Sequence, residues 1–160
     1  MRAPFQILVI PFRRTATVPE YAVVKRSDAG YWQFVAGGGE DDETPLQAAH
    51  RETEEEIGIT GEIMRLDSFS TVPKECFAAA DTWREEIYVI PEHCFAVNVG
   101  TDDISLSDEH TEFQWVSFEE ASSLLKWDSN RNALWELNER LKAPNQRLEG
   151  IVANRTESSA

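Results

Sequence analysis

Residues 37–59 read GGGEDDETPLQAAHRETEEEIGI, a capped helix between two glycine signals. Thr44 is placed to cap the helix, Pro45 to open it, and Gln47 to complete a capping box, so the helix is expected from Pro45 to about Ile57. Gly58 supplies the stop. Leu46, Ala49, Thr53 and Ile57 recur at helical spacing and form the stripe that packs on a sheet. Glu52, Glu55 and Glu56 stand at i, i+3 and i+4, where like charges repel. A hard divalent cation resolves that conflict, because Mg²⁺ and Mn²⁺ take oxygen ligands, and Mg²⁺ binds through a few carboxylates plus water and substrate phosphate. Before the helix, Gly37, Gly38 and Gly39 are expected to turn tightly and to let the backbone approach a ligand. Arg51, beside Glu52, can fix a glutamate by a charge-assisted hydrogen bond.

The stretch carries eight carboxylates against the single Arg51, half of the formal net charge of −14 on the 160 residues. That field argues against binding a nucleic acid duplex. No apolar run approaches the ~20 residues of a membrane span, and the N-terminus enters a strand without a signal-peptide pattern. Cys76 and Cys94 form neither a disulfide framework nor a metal spacing and are read as buried or partly buried free thiols. A cytoplasmic location is the expectation.

Outward from the helix, residues 5–12, 21–26, 32–36, 63–69, 86–90, 93–99 and 112–116 read as strands. Ser117 and Glu120 open a second capped helix to about residue 125, and a third is expected over residues 129–142, with Leu134, Leu137 and Leu141 on one stripe and Pro144 as its stop. Several strands, an early helix, more strands and two late helices make a mixed α+β domain, expected over residues 1–143, with a polar tail at 144–160.

The segment resembles the box of the Nudix hydrolases, G-x5-E-x7-R-E-U-x-E-E-x-G-U with U aliphatic: Gly37, Glu43, Arg51, Glu52, Glu55, Glu56 and Gly58 fall on its fixed letters and Ile59 on its close. Thr53 departs at an aliphatic packing position. Residues 32–37 (WQFVAG) are similar to the entry strand of bacterial members, and Glu109-His110 with Trp115 and Phe118–Ala121 to the family's late segment. Residues 126–131 (KWDSNR) are similar to the branch that hydrolyses dihydroneopterin triphosphate and dATP.

The resemblance implies an α/β/α sandwich with a mixed sheet and a loop-helix-loop catalytic motif. It implies that Glu52, Glu55 and Glu56 hold the metal, that Arg51 orients a glutamate, and that Glu43 supports the site. It also implies a general base that is either a box glutamate or a late-loop acid, for which Glu109 is the candidate and Glu112 its weaker neighbour. Catalytic roles are thus expected for Glu52, Glu55, Arg51 and Glu109, and substrate contacts for Trp32, Gly37 and Gly38. The reaction this resemblance leads us to expect is metal-dependent hydrolysis, by Mg²⁺ or Mn²⁺, of a nucleoside or pterin triphosphate to the monophosphate and pyrophosphate. The alternatives are a dinucleoside polyphosphate or nucleotide-sugar hydrolase, and a binding module that has lost its chemistry, against which the intact glutamates speak. His110 is read as a surface histidine and His50 and His93 as structural or exposed. Trp115 and Trp135 are read as core. Nothing in the spacing specifies an oligomeric state.

Overall fold

The computed structural model describes residues 1–143, so the expected tail at 144–160 and the stop at Pro144 lie outside the described residues. The elements are β1 (Arg2–Arg13), β2 (Glu20–Arg26), β3 (Trp32–Gln33), β4 (Val35–Glu40), α1 (Pro45–Ile57), β5 (Ile63–Pro73), β6 (Val89–Asn98), β7 (His110–Val116), α2 (Phe118–Leu124) and α3 (Asp128–Lys142). One mixed sheet runs β3-β2-β1-β6-β5, with β4 also on β1 and β7 on β2. Its β1–β6 pair is parallel and the other pairs are antiparallel.

β1 serves two neighbours on one flank. β4 pairs with it as far as Val9 and β2 from Phe12 onward, so Pro11, which lacks an N–H, falls in the gap between them. The strand alternation sorts the core into two layers. Leu8, Ile10 and Phe12 pack with Ala96, Leu66 and the α3 stripe of Ala133, Leu134, Leu137 and Leu141. Ile7 and Val9 face the other way, onto Phe95, Val97 and the α1 residues Ala48, Ala49 and Ile57. Each such aliphatic side chain contributes about 1.5–3 kcal/mol by leaving water. The sheet is therefore held between α1 on one face and α2 with α3 on the other, an α/β/α sandwich.

Both halves of the α1 capping box form, and Gly58 ends the helix at φ 69°. Thr53 is buried where an aliphatic residue was expected, and its hydroxyl donates to the Ala49 carbonyl at 2.7 Å, which removes the cost of burying it.

Four readings change. Residues 86–88 of the expected strand at 86–90 lie outside any strand, and its last two residues belong to one continuous β6 that runs through Pro91. Pro91 is tolerated there because β6 pairs with β1 only from Glu92 onward. The expected strand at 32–36 is two strands, broken at Phe34, whose N–H turns to the Asn130 side chain at 3.0 Å. Trp135 is 59 % exposed rather than core. Trp115 is half-buried under the Arg13 guanidinium, 4.2 Å from its ring centre.

Candidate functional site

The glycine triplet is strand, not turn. Gly37 and Gly38 pair with Ile7 and Gln6 of β1, and none of the three glycines has a positive φ. What each needs is a missing side chain. A Cβ on Gly37 would run into Glu52, 2.6 Å from its Cγ and nearer still to its carboxyl. One on Gly38 would overlap the Arg2 guanidinium, and one on Gly39 would enter the Phe5 ring, 2.7 Å from Cε2. The tight turn follows at residues 40–44, where Asp41 takes φ 47° and the Glu43 carboxylate accepts the Glu40 N–H at 2.9 Å.

Arg51 gathers this loop, β4 and α1. Its Nε and Nη2 grip both oxygens of Glu43 at 2.8 and 2.9 Å, and Nη2 also donates to the Gly38 carbonyl at 2.8 Å. Nη1 reaches Glu52 at 2.7 Å and Glu55 at 3.2 Å. The bidentate grip holds the Glu43 carboxyl below the usual carboxylate range.

The three glutamates expected as ligands have three environments. Glu55 is 59 % exposed at its side chain, and its hydrogen-bonding partner among the described residues is Arg51. Glu52 lies against Gly37 with its side chain 12 % exposed; burial pushes its carboxyl up to about 7, Arg51 pulls it back, and Glu56 and Glu55 add to the rise. Glu56 is 2 % exposed, on the buried stripe with Ala49 and Thr53, and its Oε2 lies 2.8 Å from Nε2 of His110. Burial raises the Glu56 carboxyl and the His110 contact opposes the rise.

His110 is thus buried, correcting the surface reading. It opens β7 opposite Arg26, and Glu109 beside it brings a third group. Ligand atoms of Glu56, Glu109 and His110 lie within 4.8 Å of one another. His110 Nδ1 and Gln33 Nε2 are buried side-chain atoms with no hydrogen-bond partner among the described residues. Two carboxylates and an imidazole can hold a divalent cation, and the residues present fit one; of the three expected ligands only Glu56 belongs to this group, while Glu52 and Glu55 are held by Arg51.

A cleft of 920 Å³ opens beside this group. Gly37, Gly38, Glu52 and Glu109 line it from the acidic side, while Trp127, Asp128, Ser129 and Asn130 line it from the start of α3. Trp32 is not among its lining residues. On either side of Trp32, Tyr31 and Gln33 face the cleft, while Trp32 itself points away, onto the core and 5.8 Å beneath the Lys25 Nζ. Trp127 takes the rim position, edge-on to Tyr31 at 5.5 Å. Glu112 is drawn off to Lys25 at 3.5 Å on the surface, which leaves Glu109 as the late-loop acid beside Glu56. Sequence reading missed His110 and Gln33. The i, i+4, i+7 spacing of Ala49, Thr53 and Glu56 was the signal that Glu56 faces inward and needs a buried partner.

The profile of the NUDIX domain family matches residues 6–136. The octanoyltransferase of Myxococcus xanthus is 34 % identical over 106 residues, 66 % of this chain but 28 % of that protein, so the chain spans under a third of that relative's length. The dihydroneopterin triphosphate diphosphatase of Escherichia coli K12 is 28 % identical over 137 residues, covering 83 % of this chain and 91 % of that protein. A crystal structure from Listeria monocytogenes, described as a NUDIX hydrolase, superposes with a TM-score of 0.80 at 46 % identity, over 88 % of this chain and 95 % of that one.

Proposed function

The chain belongs to the Nudix family of pyrophosphohydrolases, and from that premise we propose that it hydrolyses a nucleoside or pterin triphosphate to the monophosphate and pyrophosphate, with Mg²⁺ or Mn²⁺. The observation that carries this reading is the cleft, which joins an acidic phosphate end at Glu52 and Glu109 to a polar and aromatic end at residues 127–130. Its 920 Å³ suits one nucleotide-sized ligand. The likeness to the dihydroneopterin triphosphate diphosphatase over nearly its whole length supports the same substrate class.

Glu52, Glu55 and Glu56 would hold the cation, which supplies Lewis-acid neutralisation of the phosphate chain. Arg51 keeps Glu52 and Glu55 in place and is itself anchored by Glu43. Gly37 and Gly38 line the cleft, and their missing side chains make room at its wall for Glu52 and Arg2, the groups that would meet the phosphates. Glu109 takes the proton of the attacking water; it is exposed, beside Glu56, and on the cleft wall. His110 fixes Glu56 from behind the wall.

The test is a panel of nucleoside triphosphates, dihydroneopterin triphosphate, diadenosine polyphosphates, nucleotide sugars and 5′-triphosphorylated RNA, each with Mg²⁺, Mn²⁺ or EDTA. Products are resolved as phosphate, pyrophosphate or monophosphate. Cation-dependent pyrophosphate release from a free triphosphate is expected. Preferential cleavage of a dinucleoside polyphosphate, a nucleotide sugar or RNA would replace the substrate reading. A Glu109→Gln variant with an unchanged pH–rate profile would remove Glu109 from its role.

A further inference from the structure

On the face of the sheet that α1 leaves uncovered, one row of paired residues crosses four strands. Gly38 of β4 pairs with Gln6 of β1, Gln6 with Glu92 of β6, and Glu92 with Ser70 of β5. All four line the cleft. Residues paired across neighbouring strands project to the same face about 5 Å apart, so Gln6 and Glu92 stand side by side.

Arg2 settles the chemistry of Gln6. Its Nη2 donates to Gln6 Oε1 at 2.7 Å, and a guanidinium has only donors, so the amide oxygen is turned toward Arg2 and the NH₂ away from it. Arg2 is held in turn by the carbonyls of Ala3 at 2.7 Å and Phe5 at 2.6 Å, and lies over the Phe77 and Trp83 rings at 5.6 and 5.7 Å. Glu92 is 6 % exposed, and the side chains that donate to it are hydroxyls: Ser70 Oγ at a long 3.4 Å, and Ser129. Burial raises the Glu92 carboxyl, as expected for a group short of donors.

The floor therefore presents an oriented N–H donor next to a buried carboxyl with two acceptor oxygens. Its complement is a ring edge that shows, in order, a carbonyl, a ring N–H and an exocyclic NH₂. Guanine and the pterins carry that 2-amino-4-oxo edge. Adenine and cytosine offer the carboxyl a single amino group, and uracil sets a second carbonyl against it. We propose that Gln6 and Glu92 are the specificity-determining pair of the cleft, with Gln6 donating to the carbonyl and Glu92 accepting from the ring N–H and 2-amino group of a guanine or pterin. The inference rests on the triphosphate reading for its reaction, and the rim ring of Trp127 offers the heterocycle an aromatic neighbour.

Inosine differs from guanosine only in the 2-amino group and isolates the Glu92 contact. The experiment measures kcat/KM for GTP, ITP, ATP and dihydroneopterin triphosphate, and binding of GMP and IMP by calorimetry, on wild type and Glu92→Gln. A charge-assisted hydrogen bond predicts that wild type prefers GTP over ITP, and GMP over IMP, by about 10- to 100-fold, and that Glu92→Gln narrows both ratios to within about threefold at an unreduced melting temperature. Gln6→Met, which keeps the length and removes the donor, lowers GTP and ITP turnover together and leaves their ratio intact. The better of GTP and dihydroneopterin triphosphate identifies the source of the edge. Turnover of triphosphates with GTP equal to ITP overturns the pair and spares the hydrolase reading. GMP preferred over IMP without turnover of any triphosphate keeps the pair and overturns that reading.

Discussion

Replacing Gly37 by alanine separates the fold from the chemistry. The glycine sits in β4 without a positive φ, so alanine meets no backbone strain and restricts the unfolded chain, a gain of about 0.4–1 kcal/mol. Against this stands weakening of the Arg51–Glu52 pair, which at a largely shielded position costs about 1 kcal/mol. The two nearly cancel, and the melting temperature shifts by no more than about 4 °C. Glu52 fares differently. The new Cβ would lie 2.6 Å from its Cγ, so reaching an ordinary carbon–carbon contact of ~3.5 Å moves that side chain by at least about 0.9 Å. A displacement of this size at a reacting centre lowers the rate about 100-fold. The assay pairs a thermal melt with steady-state pyrophosphate release on the best triphosphate. A rate within about threefold of wild type would refute the placing of Glu52 at the reacting centre. A fall in melting temperature of more than about 10 °C would show that Gly37 matters to the fold itself.

Arg51→Lys keeps the charge but not the fork that holds both oxygens of Glu43 while reaching Gly38, Glu52 and Glu55; activity should fall at least about 10-fold, and a wild-type rate would show that charge alone suffices. Burial raises the Glu92 carboxyl above its ordinary 4.5, so the folded protein keeps a proton that the unfolded chain has released, and stability falls as pH rises from 4.5 through the folded value. Glu92→Gln removes that loss, and urea melts should show it more stable than wild type at pH 8 but not at pH 4; equal differences at both would contradict the sign. Cys76 is exposed while Cys94 is buried with its thiol pushed up to about 12, so a thiol reagent should titrate one cysteine at once and the second only in step with unfolding in urea. Two fast thiols in native buffer would mean that Cys94 is reached without unfolding.

Local signals carried α1 and most of the sheet. Thr44, Pro45, Gln47 and Gly58 act within a few residues of one another, and the cap forms as they dictate. Apolar runs along β1 and β2 marked strands buried on both faces, which meet different helices. The glycine triplet was misread as a turn because a turn and a close approach demand the same residue, and only Glu52, Arg2 and Phe5 reveal which applies. Glu56 and His110 meet across 54 residues, a separation at which no spacing rule operates. Trp32 was placed on the cleft from its nearness to the glycines, but strand alternation gives that wall to Tyr31 and Gln33. The row Gly38–Gln6–Glu92–Ser70 exists only through register between four strands.

The contacts of the triplet also tie the family of sequences compatible with this fold into pairs. A side chain at position 37 requires a shorter acid at 52, one at 38 requires Arg2 to leave its place beside Gln6, and one at 39 requires a smaller residue than Phe5. Three adjacent codons are thereby bound to three distant ones, with separate penalties: the first in catalysis, the second in the shape of the cleft, the third in packing. Single changes at 37–39 are dead ends, whereas matched double changes are open routes, so this short strand would drift across homologues in step with its partners.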